Sequence, residues 1–404
     1  MNLQAIISHP TVRNARSAIH SRDRETVNEQ VRLVSIPAPT GQESERGKYV
    51  GKRFKELGLE KSHMDDVGNV VGFLRRPKAR PNGASGPVLL TAHLDTVFPD
   101  GTPIEPQREG QRIRAPGITD NARGLAAMLA IAAALRETRI TTEKPLVFVA
   151  TVGEEGLGDL RGVKHLFGEA SPFRSATAFI SLDGAGITRI VNRAIGVFRW
   201  RVTVSGLGGH SWGDRGLANP LHAIGLAVAK LREIRLEDGG DFAINVGRIG
   251  GGTSVNSIPS DAWLELDLRS EDGSTLARLE GLVRVALKSA VRQEIDESTR
   301  GVPLVMKIEK IGERPSGETP ADAPLVVAAV AATKLLGSTP ELIASSTDAN
   351  VPISLQVPAV AMGAGGLAGG VHTMDEWFEN QGGPIGIERA LLTVLAIAGI
   401  DQAS

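Results

Sequence analysis

The sequence predicts an α/β protein in which a mixed, mostly parallel sheet is sandwiched by helices and a ferredoxin-like α+β domain is inserted. Three observations carry that expectation. Apolar, β-branched runs at 87–90, 146–152 and 176–182 look like strands buried on both faces, and they alternate with helical stretches. From about 195 to 312 the pattern changes to alternating strands and amphipathic helices in the order β-α-β-β-α-β. After 313 the first pattern resumes. The expected domains are therefore 1–194 with 313–404, and 195–312.

Composition narrows the function. A chain of 404 residues has room for two or three domains, each with its own core. A net charge of −1 without a basic block leaves no electrostatic footprint for nucleic acid or an anionic membrane. The lack of cysteine excludes disulfides, iron–sulfur clusters and thiolate zinc sites, so His, Asp and Glu must hold any metal. The first 25 residues carry too short an apolar core for a signal peptide. No stretch approaches the ~18–20 uninterrupted apolar residues of a membrane span. A cytoplasmic location is the default expectation.

In chain order, Asp23–Ile36 has the spacing of an amphipathic helix, broken by Pro37 and Pro39, and a second helix at Glu43–Leu57 stops at Gly58. Asn69–Leu74 is a short strand, followed by a Pro/Gly/Arg-rich connection at Pro77–Gly86. The strand Pro87–Leu90 leads to His93 and Asp95, which would share one side because residues two apart on a strand point the same way. By itself such a tripeptide occurs often by chance. Asp120 lies in a glycine-punctuated loop running into the Ala/Leu-rich helix Leu125–Arg136, where alone it reads as an N-cap.

The strand Leu146–Val152 stops at Gly153 and delivers Glu154 and Glu155. Alone the pair reads as a solvated acidic turn. Adjacent acids at the carboxyl end of a buried strand repel unless a cation or shared proton compensates them, and open α/β sheets place ligands at that edge. After a helix near Gly162–Phe167, the strand Ala176–Leu182 ends in Asp183. Three strands thus end in an acid or a histidine, and parallel strand ends converge on one rim.

The inserted block reads as strand Val197–Val204, a Gly-rich turn carrying His210, helix Asn219–Arg235, and strands Phe242–Ile249 and Trp263–Leu268 around a loop with Asn256. Helix Ser274–Arg292 and strand Val302–Ile311 complete it. Beyond it come helix Asp322–Leu336, a polar turn at Ser345–Asn350, strand Ala359–Met362, a glycine loop with His372, and helix Ile385–Ile397. The glycine run lacks GK[ST], and no G-x-G-x-x-G opens a helix after a strand, so nucleotide binding is not expected.

HLD at 93–95, Asp120 in its loop, Glu154-Glu155, Asp183 and His372 together form the pattern of the M20 metallopeptidases. The sequence resembles that family along nearly all its length, and STDAN, VPAVAMGAGG and HTMDEW look most like its peptidase T-like branch. The resemblance implies a zinc-peptidase-type fold holding two zinc ions per subunit, with cobalt or manganese also suited to the O/N ligand set. It assigns His93 and Asp183 to one metal, Glu155 and His372 to the other, and Asp120 as the bridge. Asp95 becomes the partner of His93 and Glu154 the general base, and the Asp120–Asn121 peptide bond is expected to be cis.

By the same resemblance the inserted domain is a lid that also dimerises. His210, in the GGHS turn, would reach a partner subunit's site and stabilise the oxyanion, although by itself it reads as a histidine tolerated in a turn. Asn256 and Arg269 match positions that bind a substrate carboxylate or backbone; an ordinary surface ion pair is the alternative for Arg269. One departure stands out. The family often has Lys two residues after the bridging aspartate, whereas here Ala122 is followed by Arg123. His9, His20, His63, His165 and His222 lie in helices or loops without a ligand motif and read as structural or exposed.

The expected activity is cleavage of a peptide amide bond in a small peptide by an aminopeptidase or di/tripeptidase. A carboxypeptidase or N-acyl-amino-acid deacylase is the alternative. A non-catalytic binding protein on the same fold is a remote one, because none of the five candidate ligands is missing.

Overall fold

The computed structural model describes residues 3–74, 86–236 and 239–401. All of the expected connection Pro77–Gly86 except Gly86 lies outside the described residues. The chain divides into two compact units, Met1–Ala194 with Glu318–Ser404, and Ile195–Gly317.

The first unit is built on a mixed sheet. Its strands lie in the order Glu60–Met64, Val70–Phe73, Leu146–Thr151, Val88–His93, Ala178–Leu182, Ala359–Met362 and Arg189–Ala194. Glu341–Ser345 adds in parallel to Arg189–Ala194. The central pairs, Val88–His93 with its two neighbours and Ala178–Leu182 with Ala359–Met362, are all parallel. Every residue of Val88–His93 and Leu146–Thr151 is buried, because both faces are covered. Leu90, Ala92, Phe148, Ala150 and Ile180 face a core shared with the helices Ala122–Glu137 and Gly383–Ala398. Leu89, Val147, Val149 and Phe179 face Val163, Leu166, Val351 and Ile353 on the other side. Full burial of each large apolar side chain contributes about 1.5–3 kcal/mol, so the central strands are the rigid part of this unit.

Register places the functional edge. His93 is the partner of Thr151 on one side, and Thr91 the partner of Ser181 on the other. The three strands therefore run out together, and the residues just past them, Asp95, Glu154, Glu155 and Asp183, follow on the same rim.

Two helices at the N-terminus, Leu3–Ser8 and Pro10–Ser21, were not expected from the sequence. They bury Ile6, Val12, Ala15, Ala18 and Ile19, a narrow apolar stripe masked by the intervening charged residues. His63 also departs from expectation, lying in the edge strand Glu60–Met64. No helix among the described residues is long and apolar enough to cross a membrane.

The second unit is a four-stranded antiparallel sheet in the order Ala243–Gly251, Asp261–Ser270, Gly196–Ser205, Val305–Arg314. Helices Pro220–Glu233 and Gly273–Glu297 pack on one face. Strict alternation explains this: Ala262, Leu264, Leu266 and Leu268 are buried while their neighbours are not. The last strand runs to Arg314, beyond the expected Ile311, because its ladder resumes after a bulge between Lys310 and Gly312. The unit consequently ends at Gly317.

Candidate metal centre

The site grows from the end of the strand Val88–His93. Asp95 is fully buried, and its carboxylate accepts the main-chain N–H groups of Glu154 (3.0 Å) and Glu155 (2.9 Å) and the Thr40 hydroxyl (2.9 Å). Its carbonyl oxygen lies 3.0 Å and its Oδ1 3.5 Å from His93 Nδ1. Two acceptors on that side keep the ring proton on Nδ1. In the neutral ring Nε2 then carries the free lone pair, the tautomer a metal-binding imidazole requires.

Asp120 is delivered by the loop before helix Ala122–Glu137. Asn121 caps that helix by accepting from the Gly124 N–H, and its amide donates to the Leu182 carbonyl at the end of the neighbouring strand. The Asp120–Asn121 peptide bond is cis. Asp120 Oδ1 lies 2.9 Å from His93 Nε2, and its Oδ2 lies 2.9 Å from His372 Nε2. Asp183 Oδ1 is 3.9 Å from His93 Nε2, and Glu155 Oε1 is 3.1 Å from His372 Nε2. The atoms thus form two groups, His93 with Asp183 and His372 with Glu155, and each takes one oxygen of Asp120. Ligand atoms of His93, Asp120 and Glu155 all lie within 4.8 Å of one another. His372 itself has φ of 66°, in the left-handed region, which few non-glycine residues adopt.

Without a cation, protons balance these charges. Hydrogen bonds to Asp120 and Glu155 push His372 up to about 10. Burial works against a charged His93, but its hydrogen bonds to Asp120, Asp183 and Asp95 hold it well above the usual range. Burial also acts to raise Asp120, yet the two histidines outweigh it and keep that carboxyl well below its ordinary value. Glu155 is pushed up, by burial first, and the Asp120 charge adds to the effect. Once the two imidazoles release those protons, their free nitrogens and the three carboxylates make a donor set that suits a divalent cation.

Glu154 is buried at the same rim, with its main chain held by Asp95. Several supporting residues escaped the sequence reading. Arg46 is fully buried and donates to the Ile36 and Leu94 carbonyls, fixing the turn that carries Thr40. Its signal was present: Arg46 sits on the buried stripe of its helix with Val50 and Phe54. Glu376 gathers the amides of the Asp120 loop. Asp348, read in sequence only as part of a polar turn, accepts the Thr151 hydroxyl across 2.6 Å and is almost fully buried. Burial pushes its carboxyl up to about 7, with the charges of Asp95 and Asp183 adding and the Thr151 bond opposing.

Arg123, one place beyond the position where the family often has Lys, is fully buried; its guanidinium donates to the carbonyls of Ala364 and Gly383 and lies over the Phe378 ring. The other histidines have local partners: His9 Nδ1 with Thr11, His20 with Glu388, His63 Nδ1 with the Lys61 carbonyl, His165 with Asp65, and His222 with Glu294.

In the second unit, His210 and Asn256 come together. His210 is the strand partner of Ser257, and the Ser211 N–H donates to the Asn256 carbonyl. His210 Nδ1 accepts from the N–H groups of Trp212 and Gly213. Arg269 lies toward the opposite end of its strand, about 25 Å along it from Asp261. There it pairs with Asp267 across 2.6 Å.

The His/Asp/Glu cluster at the carboxyl edge of the parallel strands of this mixed sheet is the arrangement of a metal-binding hydrolase, and the family match agrees. Residues 89–396 match the model of peptidase family M20/M25/M40, and the chain belongs to that family; it is a hydrolytic enzyme. An acetylornithine deacetylase of Klebsiella pneumoniae is 28% identical over 81% of this chain and 84% of its own length. A probable carboxypeptidase of Aspergillus clavatus is 25% identical over 72% of this chain and 70% of its own. The structure of aminopeptidase PepT from Bacillus cereus shares the fold, with a TM-score of 0.71 at 24% identity over 92% of this chain and 98% of that one.

Proposed function

We propose that the protein is a two-metal amidohydrolase that cleaves the amide bond of a small peptide, as an aminopeptidase or di/tripeptidase. The observation that carries this reading is the sharing of Asp120, one oxygen toward each of the Nε2 atoms of His93 and His372. In it, His93 and Asp183 would hold one zinc and Glu155 and His372 the other, with Asp120 shared between them; cobalt or manganese would also suit the donors. The metals would supply the positive charge that brings the pKa of the attacking water near ~7 and polarises the scissile carbonyl.

The protein's own groups do the rest. Glu154 takes the water's proton and passes it to the leaving amine. Glu155 stays ionised as a ligand, and Asp95 holds the His93 tautomer. His210 has its Nδ1 occupied as an acceptor, so its proton sits on Nε2, ready to donate to the oxyanion. The unit Ile195–Gly317 serves as lid and homodimer contact through which His210 would reach a partner subunit's site, so that Asn256 and Arg269, at opposite ends of their sheet, bind substrate in different sites of the dimer. Arg269 must exchange its Asp267 partner for the substrate carboxylate. A cytoplasmic location belongs to the same reading.

A second reading, hydrolysis of an N-acyl amino acid, is supported by the likeness to acetylornithine deacetylase. Turnover of a free-amine tripeptide and an N-acetyl amino acid after metal reconstitution separates the two. Turnover of the tripeptide alone supports the first, and turnover of neither, nor of other members of a di/tripeptide and N-acyl panel, counts against both. Light scattering tests the dimer, which an active, strictly monomeric species would contradict.

A further inference from the structure

Glu376 follows His372 by four residues, joined to it by a tight turn in which the Glu376 N–H donates to the Thr373 carbonyl. Its side chain is fully buried and reaches back to the loop before Asp120. Oε1 accepts from the N–H groups of Thr119 (2.8 Å) and Asp120 (3.0 Å) and from the Thr119 hydroxyl; Oε2 accepts from the Gly117 N–H (3.0 Å). The main chain adds a fifth tie, Ala115 N–H to the Glu376 carbonyl at 3.0 Å. A return tie runs the other way, since Arg123, three residues after Asp120, donates to the carbonyls of Ala364 and Gly383 on either side of the His372 loop.

We propose that Glu376 is a positioning residue that fixes the Asp120 carboxylate against the His372 ring. The residue type follows from the donors. Three N–H groups and one hydroxyl converge on a buried point, and only an acceptor with two oxygens satisfies them all. The geometry follows from the chain: a shift of the His372 loop drags Glu376, and Glu376 drags the Asp120 amide with it. Two ligands far apart in sequence are thereby held at one spacing, as a second tier of hydrogen bonds does for metal ligands generally.

The inference rests on the two-metal reading, and cobalt titration of the metal-free protein tests both. Glu376→Asp keeps the charge but withdraws it by one methylene. Glu376→Gln keeps the reach, and its oxygen can retain the three donors of Oε1. The aspartate variant is expected to loosen the weaker cobalt-binding step by ~10–100-fold and to shift the visible cobalt spectrum. The glutamine variant should fall between the aspartate variant and wild type, because its amide nitrogen would face the Gly117 N–H as donor against donor. A purely structural role would lower the melting temperature of the aspartate variant and leave affinity and spectrum of the folded protein unchanged; that result overturns the proposal. Failure of wild type to take up cobalt would overturn the two-metal reading and this inference with it, whereas normal wild-type uptake matched by the aspartate variant overturns this inference alone.

Discussion

Asp95 accepts the main-chain N–H of Glu155 across 2.9 Å, although the two are 60 residues apart in sequence. The same carboxylate takes the Glu154 N–H and the Thr40 hydroxyl and faces His93 Nδ1. One side chain therefore orients a candidate ligand and sets the start of the acidic pair. Asp95→Asn turns one of those acceptors into a donor facing a donor. It should weaken metal binding by ~10–100-fold and cost the metal-free protein about 1–3 kcal/mol. Chelator competition and urea denaturation measure the two effects; a variant unchanged in both would remove Asp95 from the argument.

Glu154 and Glu155 are neighbours with different tasks. Glu155 lies 3.1 Å from His372 Nε2, within the ligand cluster, whereas Glu154 is assigned to proton transfer. Glu154→Gln should keep its full metal content and lose ~10²–10⁴-fold in kcat, the usual worth of a general base. Equal turnover by variant and wild type on every substrate would show that the base is another group.

Asp348 makes the metal-free protein sensitive to pH. In the folded state burial keeps its proton on up to about pH 7, while in the unfolded chain an aspartate ionises near ~3.9. Between those values the folded state binds more protons, so stability falls as pH rises, by up to about 1.4 kcal/mol per pH unit from this group. Asp348→Asn should flatten that slope. Denaturation midpoints of both metal-free proteins from pH 4.5 to 8 decide the matter, and parallel curves would dismiss Asp348 as the source.

Much of this arrangement was legible because buried parallel strands announce themselves. The runs ending at His93, Glu154 and Asp183 contain little but apolar residues, and the acids that follow have no local reason to be there. The alternating strands of the second unit were equally plain, since one face of each is wet. What stayed hidden depends on distant contacts. Nothing near Glu376 in sequence hints at amides more than 250 residues away, and Asp348 lies in an ordinary polar turn. The same holds for Arg123, whose carbonyl partners only the folded chain shows.

Two helical glycines separate propensity from packing. Alanine favours a helix over glycine by about 1 kcal/mol, so replacing either should stabilise if nothing else intervened. At Gly225, in helix Pro220–Glu233, an added Cβ meets nothing within 4 Å. Gly225→Ala should raise stability by ~0.5–1 kcal/mol. At Gly124 the added carbon would fall 2.2 Å from Asn121 Oδ1 and 2.4 Å from the Leu182 carbonyl oxygen. These are the two atoms through which Asn121 caps its helix and ties the Asp120 loop to the strand that ends before Asp183. Gly124→Ala should therefore destabilise, against its propensity, and weaken metal binding as Asp120 and Asp183 shift apart. Thermal melts of the two variants in parallel check the opposite signs, and a Gly124→Ala protein as stable and as metal-avid as wild type would mean that this loop tolerates the displacement that its contacts forbid.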